Sequence, residues 1–164
     1  MTKKYSWMAC GLQLLAWLTL AGAALAHGTS KGDLRVDHAY AAPSVTLESE
    51  PLVYFRGIRN DAHQADRLLS ASTPVAAEVT FQRVLQQGSK KVAFPLSAIE
   101  LPATSITPMR HNKGEYQMRL RGLRQALKDG DRFELTLTFE HAGTLTTNVW
   151  VQDLGASANE EHKH

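Results

Sequence analysis

From Phe133 to Glu140 apolar and polar residues alternate one for one. Phe133, Leu135, Leu137 and Phe139 fall on one side, and Glu134, Thr136, Thr138 and Glu140 on the other. A period of two with β-branched residues among the polar positions predicts a strand with one buried and one wet face. Ala142-Gly143 supplies a turn. Leu145, Thr147, Val149 and Val151 then alternate with Thr146, Asn148 and Trp150, so the two runs read as a hairpin.

Weaker patterns of the same kind recur upstream. Leu34 to Tyr40 is a strand candidate, and Leu52 to Ile58 is almost continuously apolar, as a central strand would be. Val75 to Val84 sets Val75, Ala77, Val79 and Phe81 against Thr80 and Gln82. Lys91 to Leu96 is short and is interrupted by Pro95. Glu115 to Arg121 is expected to bury Tyr116, Met118 and Leu120 and to show Gln117, Arg119 and Arg121. Leu123 to Leu127 offers at most one helical turn before Asp129-Gly130. No segment sustains a helical period, and many short strands separated by turns predict an all-β sandwich or Greek-key barrel.

The two ends are built differently. Lys3 and Lys4 precede an apolar run from Trp7 to Leu25 that closes on Ala24-Leu25-Ala26. A basic start, an apolar middle and an A-x-A end predict a cleavable signal peptide over 1–26 and a mature chain beginning at His27. Cys10, the single cysteine, lies too early in that run to read as a lipid-attachment site, and it would leave with the signal. Residues 27–33 are small and polar and read as a flexible mature amino terminus. Residues 155–164, ending His162-Lys163-His164, read as a disordered histidine-containing tail. No membrane span is expected after cleavage.

Removal of Lys3 and Lys4 takes the formal charge from +2 to neutrality. A neutral domain without a basic stripe has no electrostatic footprint for nucleic acid. Without a mature cysteine there is no disulfide, so the core must hold by packing, and the chain has length for one domain. No nucleophile elbow, phosphate loop, paired-cysteine zinc motif or His-Glu-x-x-His helix is present, and no enzyme is expected. The acids fall on strand faces and in turns and read as a solvated surface.

Histidine is the one residue type with chemical promise: His27, His38, His63, His111, His141, His162 and His164 all lie beyond the signal. His27 is distinctive because cleavage gives it a free α-amine beside its own imidazole. Two nitrogens on one residue chelate a metal, and a third from His38, His63 or another histidine would complete a T-shaped site suited to Cu(II). The amine titrates near ~8, so a metal can displace its proton at neutral pH.

Residues 34 to about 153 resemble the periplasmic copper chaperone family usually called PCuAC. The matching stretches are Asp37-His38-Ala39-Tyr40-Ala41, Val53-Tyr54-Phe55 leading to Asn60, Ala65-Asp66-Arg67-Leu68-Leu69-Ser70-Ala71-Ser72-Thr73-Pro74-Val75-Ala76, Ile99-Glu100-Leu101-Pro102-Ala103, and Gly122-Leu123 through Leu127-Lys128-Asp129-Gly130-Asp131 into Leu135 to Glu140 and Ala142-Gly143. The resemblance implies a single cupredoxin-like Greek-key β-sandwich over 34–154, a periplasmic location, copper as cargo and a copper-accepting or copper-handling protein as partner. It also implies a Cu(I) site of two histidines and two methionines. By alignment those ligand positions hold Gln82, Ala93, Gln117 and Arg119, which offer neither thioether nor imidazole, and the guanidinium adds an adverse charge. Two readings follow. One is a PCuAC-like copper carrier with a relocated histidine site at His27, His38 and His63. The alternative is a metal-free relative whose Gln117-Arg119-Arg121 face binds a protein partner. A monomer is expected in either case.

Overall fold

The computed structural model describes residues 28–155, and every regular element among them is a strand. The strands are β1 (Gly28–Lys31), β2 (Leu34–Ala41), β3 (Leu52–Asn60), β4 (Asp66–Ser72), β5 (Ala76–Gln87), β6 (Lys90–Leu96), β7 (Ile99–Leu101), β8 (Ser105–Met109), β9 (Tyr116–Leu123), β10 (Arg132–Phe139) and β11 (Gly143–Val151). They form one hydrogen-bonded path, β6-β5-β9-β3-β2-β11-β10-β4-β7, with β1 added on β2 and β8 on β3. The all-β architecture expected from the alternation is therefore present. The proposed signal peptide, His27 and the tail from Ala156 lie outside the described residues.

The hairpin that the sequence shows best is formed as expected. Leu135 pairs with Thr147 and Leu137 with Leu145, and all four alternate apolar residues of β10 are buried. β11 then pairs in parallel with β2 through Trp150–Tyr40 and Val151–Ala41. The inward residues of both halves of the path share one core, in which Val36, Phe55, Ile58, Leu68, Ile99, Met118, Leu120, Leu135 and Leu137 are completely or almost completely buried.

The β2–β3 ribbon is the spine of the molecule. One end, Leu34 to Asp37 with Gly57 to Asn60, is flanked by β1 and β8; the other, Tyr40 and Ala41 with Leu52 and Val53, is flanked by β11 and β9. The buried face changes phase between the two ends. Val36 and its partner Ile58 are buried at the first end, whereas Ala39 with Phe55 and Ala41 with Val53 are buried at the second. Two even-numbered residues are followed by odd-numbered ones on the core side, which a strand of strict period two cannot do. The switch falls at His38, whose φ is +43°, opposite a bulge in β3 between Phe55 and Ile58. The same device recurs in β5–β9. Phe81 with Met118 and Val79 with Leu120 face the core, then Ala76 with Leu123 do, and Gly122 at φ +62° lies between them. A β-carbon at Gly122 would sit 3.0 Å from that of Ala77, so glycine serves both the positive φ and the close approach.

The structure departs from the sequence reading in several places. Ala77, expected inward, is exposed beside Gly122. Leu123 to Leu127 forms no helical turn. β6 continues through Pro95, which an edge strand tolerates because its outer N–H has no ladder partner. Gly28–Lys31, read as flexible, is a strand paired with Leu34–Asp37. It is held further by Thr29 Oγ1, which donates to Thr147 Oγ1 at 3.0 Å, and by Lys31 Nζ, which donates to the Thr144 carbonyl at 2.9 Å. Asp66, counted among the surface acids, is buried. Its carboxylate accepts from the backbone N–H groups of His141 and Ala142 at 3.0 and 2.9 Å and so fixes the β10–β11 turn onto β4.

Candidate functional site

Beyond the phase switch, β5, β9, β3 and β2 turn a row of side chains away from the core. Gln82 on β5 lies directly opposite Gln117 on β9, and Thr80 opposite Arg119. Arg119 in turn lies opposite Leu52 on β3, and Tyr54, two residues on, lies opposite Tyr40 on β2. His38 ends the row, its ring centroid 5.4 Å from that of Tyr40.

Three of the four ligand positions identified from the sequence meet here through hydrogen bonds. Gln117 Nε2 donates to Gln82 Oε1 at 2.9 Å, and Arg119 Nε points to the same oxygen at 3.3 Å. A guanidinium can only donate, so it fixes that atom of Gln82 as the oxygen and the facing atom of Gln117 as the amide nitrogen. Arg119 Nη1 also bonds Glu50 at 3.0 Å. Arg121 Nε bonds the other oxygen of Glu50 at 3.1 Å, and its Nη1 reaches Glu78 at 3.4 Å. These two arginines hold the Glu50 carboxyl below the usual carboxylate range. Gln117, expected on a wet face, is buried. It faces away from the core, where its amide meets Gln82.

Ala93, the fourth position, lies opposite Val84 and shares a cavity of about 180 Å³ with Gln117. Tyr54, Val84, Lys91, Arg110, His111, Gly114 and Tyr116 complete its wall. All four positions therefore gather on one side of β5, β6 and β9, as a common ligand set would, and what they provide is amides, a methyl group and a guanidinium. Among the described residues no group of three or more His, Cys, Asp or Glu side chains could hold a metal ion.

The histidines are distributed unevenly around this row. His111 stands edge-on to Tyr40 and Tyr54, each at 5.9 Å between centroids. The Tyr40 oxygen accepts the His111 backbone N–H at 3.3 Å and lies 3.1 Å from Nδ1, which leaves Nε2 as the ring nitrogen that Tyr40 does not engage. His38 and His111 thus flank one tyrosine from two sides. His63 is elsewhere, exposed in the turn after β3 that Asn60 holds by accepting from the Ala62 N–H and donating to the Gln64 carbonyl. Asn60 pairs with Leu34, four residues along β2 from His38, a separation of roughly 13 Å at about 3.3 Å per residue. The register does not bring His63 to His38. His111 carries no signal in the sequence, because nothing in its neighbours' spacing shows that the chain folds it over Tyr40 and Tyr54.

Tyr54 is buried, and its phenol is pushed up to about 12, chiefly by that burial and secondarily by Tyr40, with Arg119 opposing. It remains a neutral hydrogen-bonding group at any physiological pH.

Residues 34–151 match the model of the family described as lipoprotein LpqE-like. No curated protein matches the chain. Among solved structures, the copper-bound PCuAC domain from PmoF2 superposes with a TM-score of 0.63 at 24% identity, covering 77% of this chain and 97% of that one. The Cu(I) form of DR1885 from Deinococcus radiodurans superposes at 0.52 with 25% identity, covering 73% of this chain and 79% of its own. Its apo form covers 93% and 95% at 21% identity and a TM-score of 0.55. The PCuAC resemblance carried by the sequence motifs is thus matched in three dimensions. The chain belongs to the LpqE-like family and has the cupredoxin-like fold of PCuAC domains.

Proposed function

We propose that the protein is an extracytoplasmic copper-handling protein of the PCuAC type, not an enzyme, whose copper is held at the mature amino terminus by the His27 amine and imidazole with His38. The observation that carries this reading is the register of β1. Gly28, the first described residue, pairs with Asp37, the neighbour of His38 in sequence. The Thr29 and Lys31 bonds to β11 anchor β1 and favour a fixed approach. Chelation supplies the affinity: the second nitrogen of His27 closes a small ring at little entropic cost, and nitrogen donors favour Cu(II). The copper-bound forms of two structural relatives support copper as the cargo. The distance along the register between His38 and His63 argues against His63 as the third donor.

Cu(II) titration of the processed protein tests this reading. One extra residue ahead of His27, or His38→Asn, which suits the positive φ, is expected to abolish tight one-to-one binding. His63→Ala and a chain ending before His162 are expected to retain it. Loss of copper on tail removal with no effect of the added residue would overturn the site.

A second reading has its own observation. The Gln82–Gln117–Arg119–Glu50 network fills the family's ligand positions with groups that satisfy one another. On this reading the sandwich carries no metal and its arginine-bearing face meets a protein partner. It predicts only weak, multi-site copper uptake in the same titration.

A further inference from the structure

Strand β6 ends the hydrogen-bonded path, and its outer edge carries no strand among the described residues. It is seven residues long, against three for β7 at the other end. Its neighbours fix which of its backbone groups are open. Val84 donates its N–H to the Glu115 carbonyl at 2.6 Å, on the β9 side of β5. The Val84–Ala93 pair therefore exchanges no backbone hydrogen bonds within the β5–β6 hairpin. The N–H and C=O of Ala93 point outward, and by alternation so do those of Lys91. Pro95 falls in the same phase, so the N–H it lacks is one that would have faced the open edge. Val92 and Phe94, in the other phase, spend their backbone groups on β5.

The side chains say what fits that edge. No acid lies between Glu78 and Glu100 in the chain. Lys90 and Lys91 are exposed and have no side-chain partner among the described residues. Arg83, the other cation of the hairpin, is held by Glu115 at 2.9 Å. On the opposite face Val92 is half-buried and Phe94 is 40% exposed. A strand added here sets one residue opposite Lys91, on the face of Lys91, and the next against Val92 and Phe94 on the other face. Charge selects an acid for the first place, and burial selects an apolar residue for the second. A second copy of the same edge would bring the lysines of both copies together, which disfavours it.

We propose that the β6 edge docks an extended segment of a partner protein in which acidic and apolar residues alternate. The segment adds as a further strand through the backbone groups of Lys91 and Ala93, with an acid facing Lys91 and an apolar residue covering Val92 and Phe94. Pro95 limits the ladder at one end, because it offers a carbonyl and no N–H. The edge is separated from His38 on β2 by β5, β9 and β3, so it uses none of the residues proposed to hold copper.

Amide hydrogen exchange of the processed protein, followed by NMR, tests the proposal with a capped Val-Glu-Val-Glu-Val peptide and its Val-Lys-Val-Lys-Val counterpart. In the free protein the Lys91 and Ala93 amides are expected to exchange faster than those of Val92 and Phe94. The acidic peptide is expected to slow Lys91 and Ala93, and the basic peptide to leave them fast. Lys91→Glu is expected to move the preference toward the basic peptide by about tenfold, the scale of exchanging an exposed attraction for a repulsion. Ala93→Pro removes an outward N–H without touching the β5 ladder, and is expected to abolish peptide binding while the thermal melt is unchanged. Failure of the acidic peptide to slow either amide, equal protection by the basic peptide, or undiminished binding by Ala93→Pro would overturn the proposal. Slow exchange at Lys91 and Ala93 in the free protein would also overturn it. If that protection is lost when the chain ends before Ala156, the chain's own tail holds the edge; if it is lost on dilution, a second copy does.

Discussion

Tyr54 shows how a single residue reports on its surroundings. Its hydroxyl belongs to a ring stacked on Tyr40 at 5.7 Å between centroids, edge-on to His111 and largely buried. The folded phenol titrates at about 12, against about 10 in an unfolded chain. The native state therefore holds its proton where the unfolded state has lost it. Tyr54 contributes its full share of stability below pH 10, and that share falls away as pH rises from about 10 to about 12. Denaturant melts across this window are expected to show a steeper alkaline loss for the wild type than for Tyr54→Phe; parallel curves would place the phenol in water. At this scale the sequence was only partly legible. It showed that Gln82, Ala93, Gln117 and Arg119 lack copper donors, because donor chemistry is a property of the residue alone. It did not show that Asp66 is buried or that His111 covers two tyrosines, because those depend on partners dozens of residues away.

Elements were legible in proportion to the regularity of their alternation. β10 and β11 keep one phase throughout, and their buried faces were identified correctly. Leu137→Ala is accordingly expected to cost about 2–5 kcal/mol through lost burial and a residual cavity. Thr138→Ala, on the opposite face, is expected to cost less than about 1 kcal/mol. Equal shifts in denaturant midpoint would mean that the faces are exchanged. β2, β3, β5 and β9 change phase within themselves, at His38 and at Gly122, and no single periodic template describes them. β7 has three residues, β8 contains Pro108, and β4 opens on a buried acid, so each lacks the run of alternating apolar positions from which a strand is recognised. Gln82 and Gln117 lie directly opposite one another, the arrangement that the ligand set implied by the resemblance needs. Replacing Gln82 and Gln117 by His and Ala93 and Arg119 by Met is therefore expected to create Cu(I) binding. The parent with His27→Ala is expected to show none, in competition against a Cu(I) chelator. Tight one-to-one retention by that parent would mean the ligand positions were misaligned.

At the scale of the whole molecule, the chain order of the contacts matters as much as their chemistry. The last strand, β11, lies between β10 and β2, and its Val149 and Val151 complete a core begun by Leu34 and Val36. Thr29 meets Thr147 and Asp66 meets the turn at His141 and Ala142, so the fold is closed by its most distant partners. Domains dominated by such non-local pairings fold on the millisecond-to-second scale, and loop closure must precede any reward from the contacts. A chain emerging residue by residue can pair β2 with β3 and β3 with β9 early, but the edge of β2 that β11 covers stays open until the last strand arrives. In kinetic terms the sheet is left with one unfinished seam, and it closes only when the final hairpin is delivered.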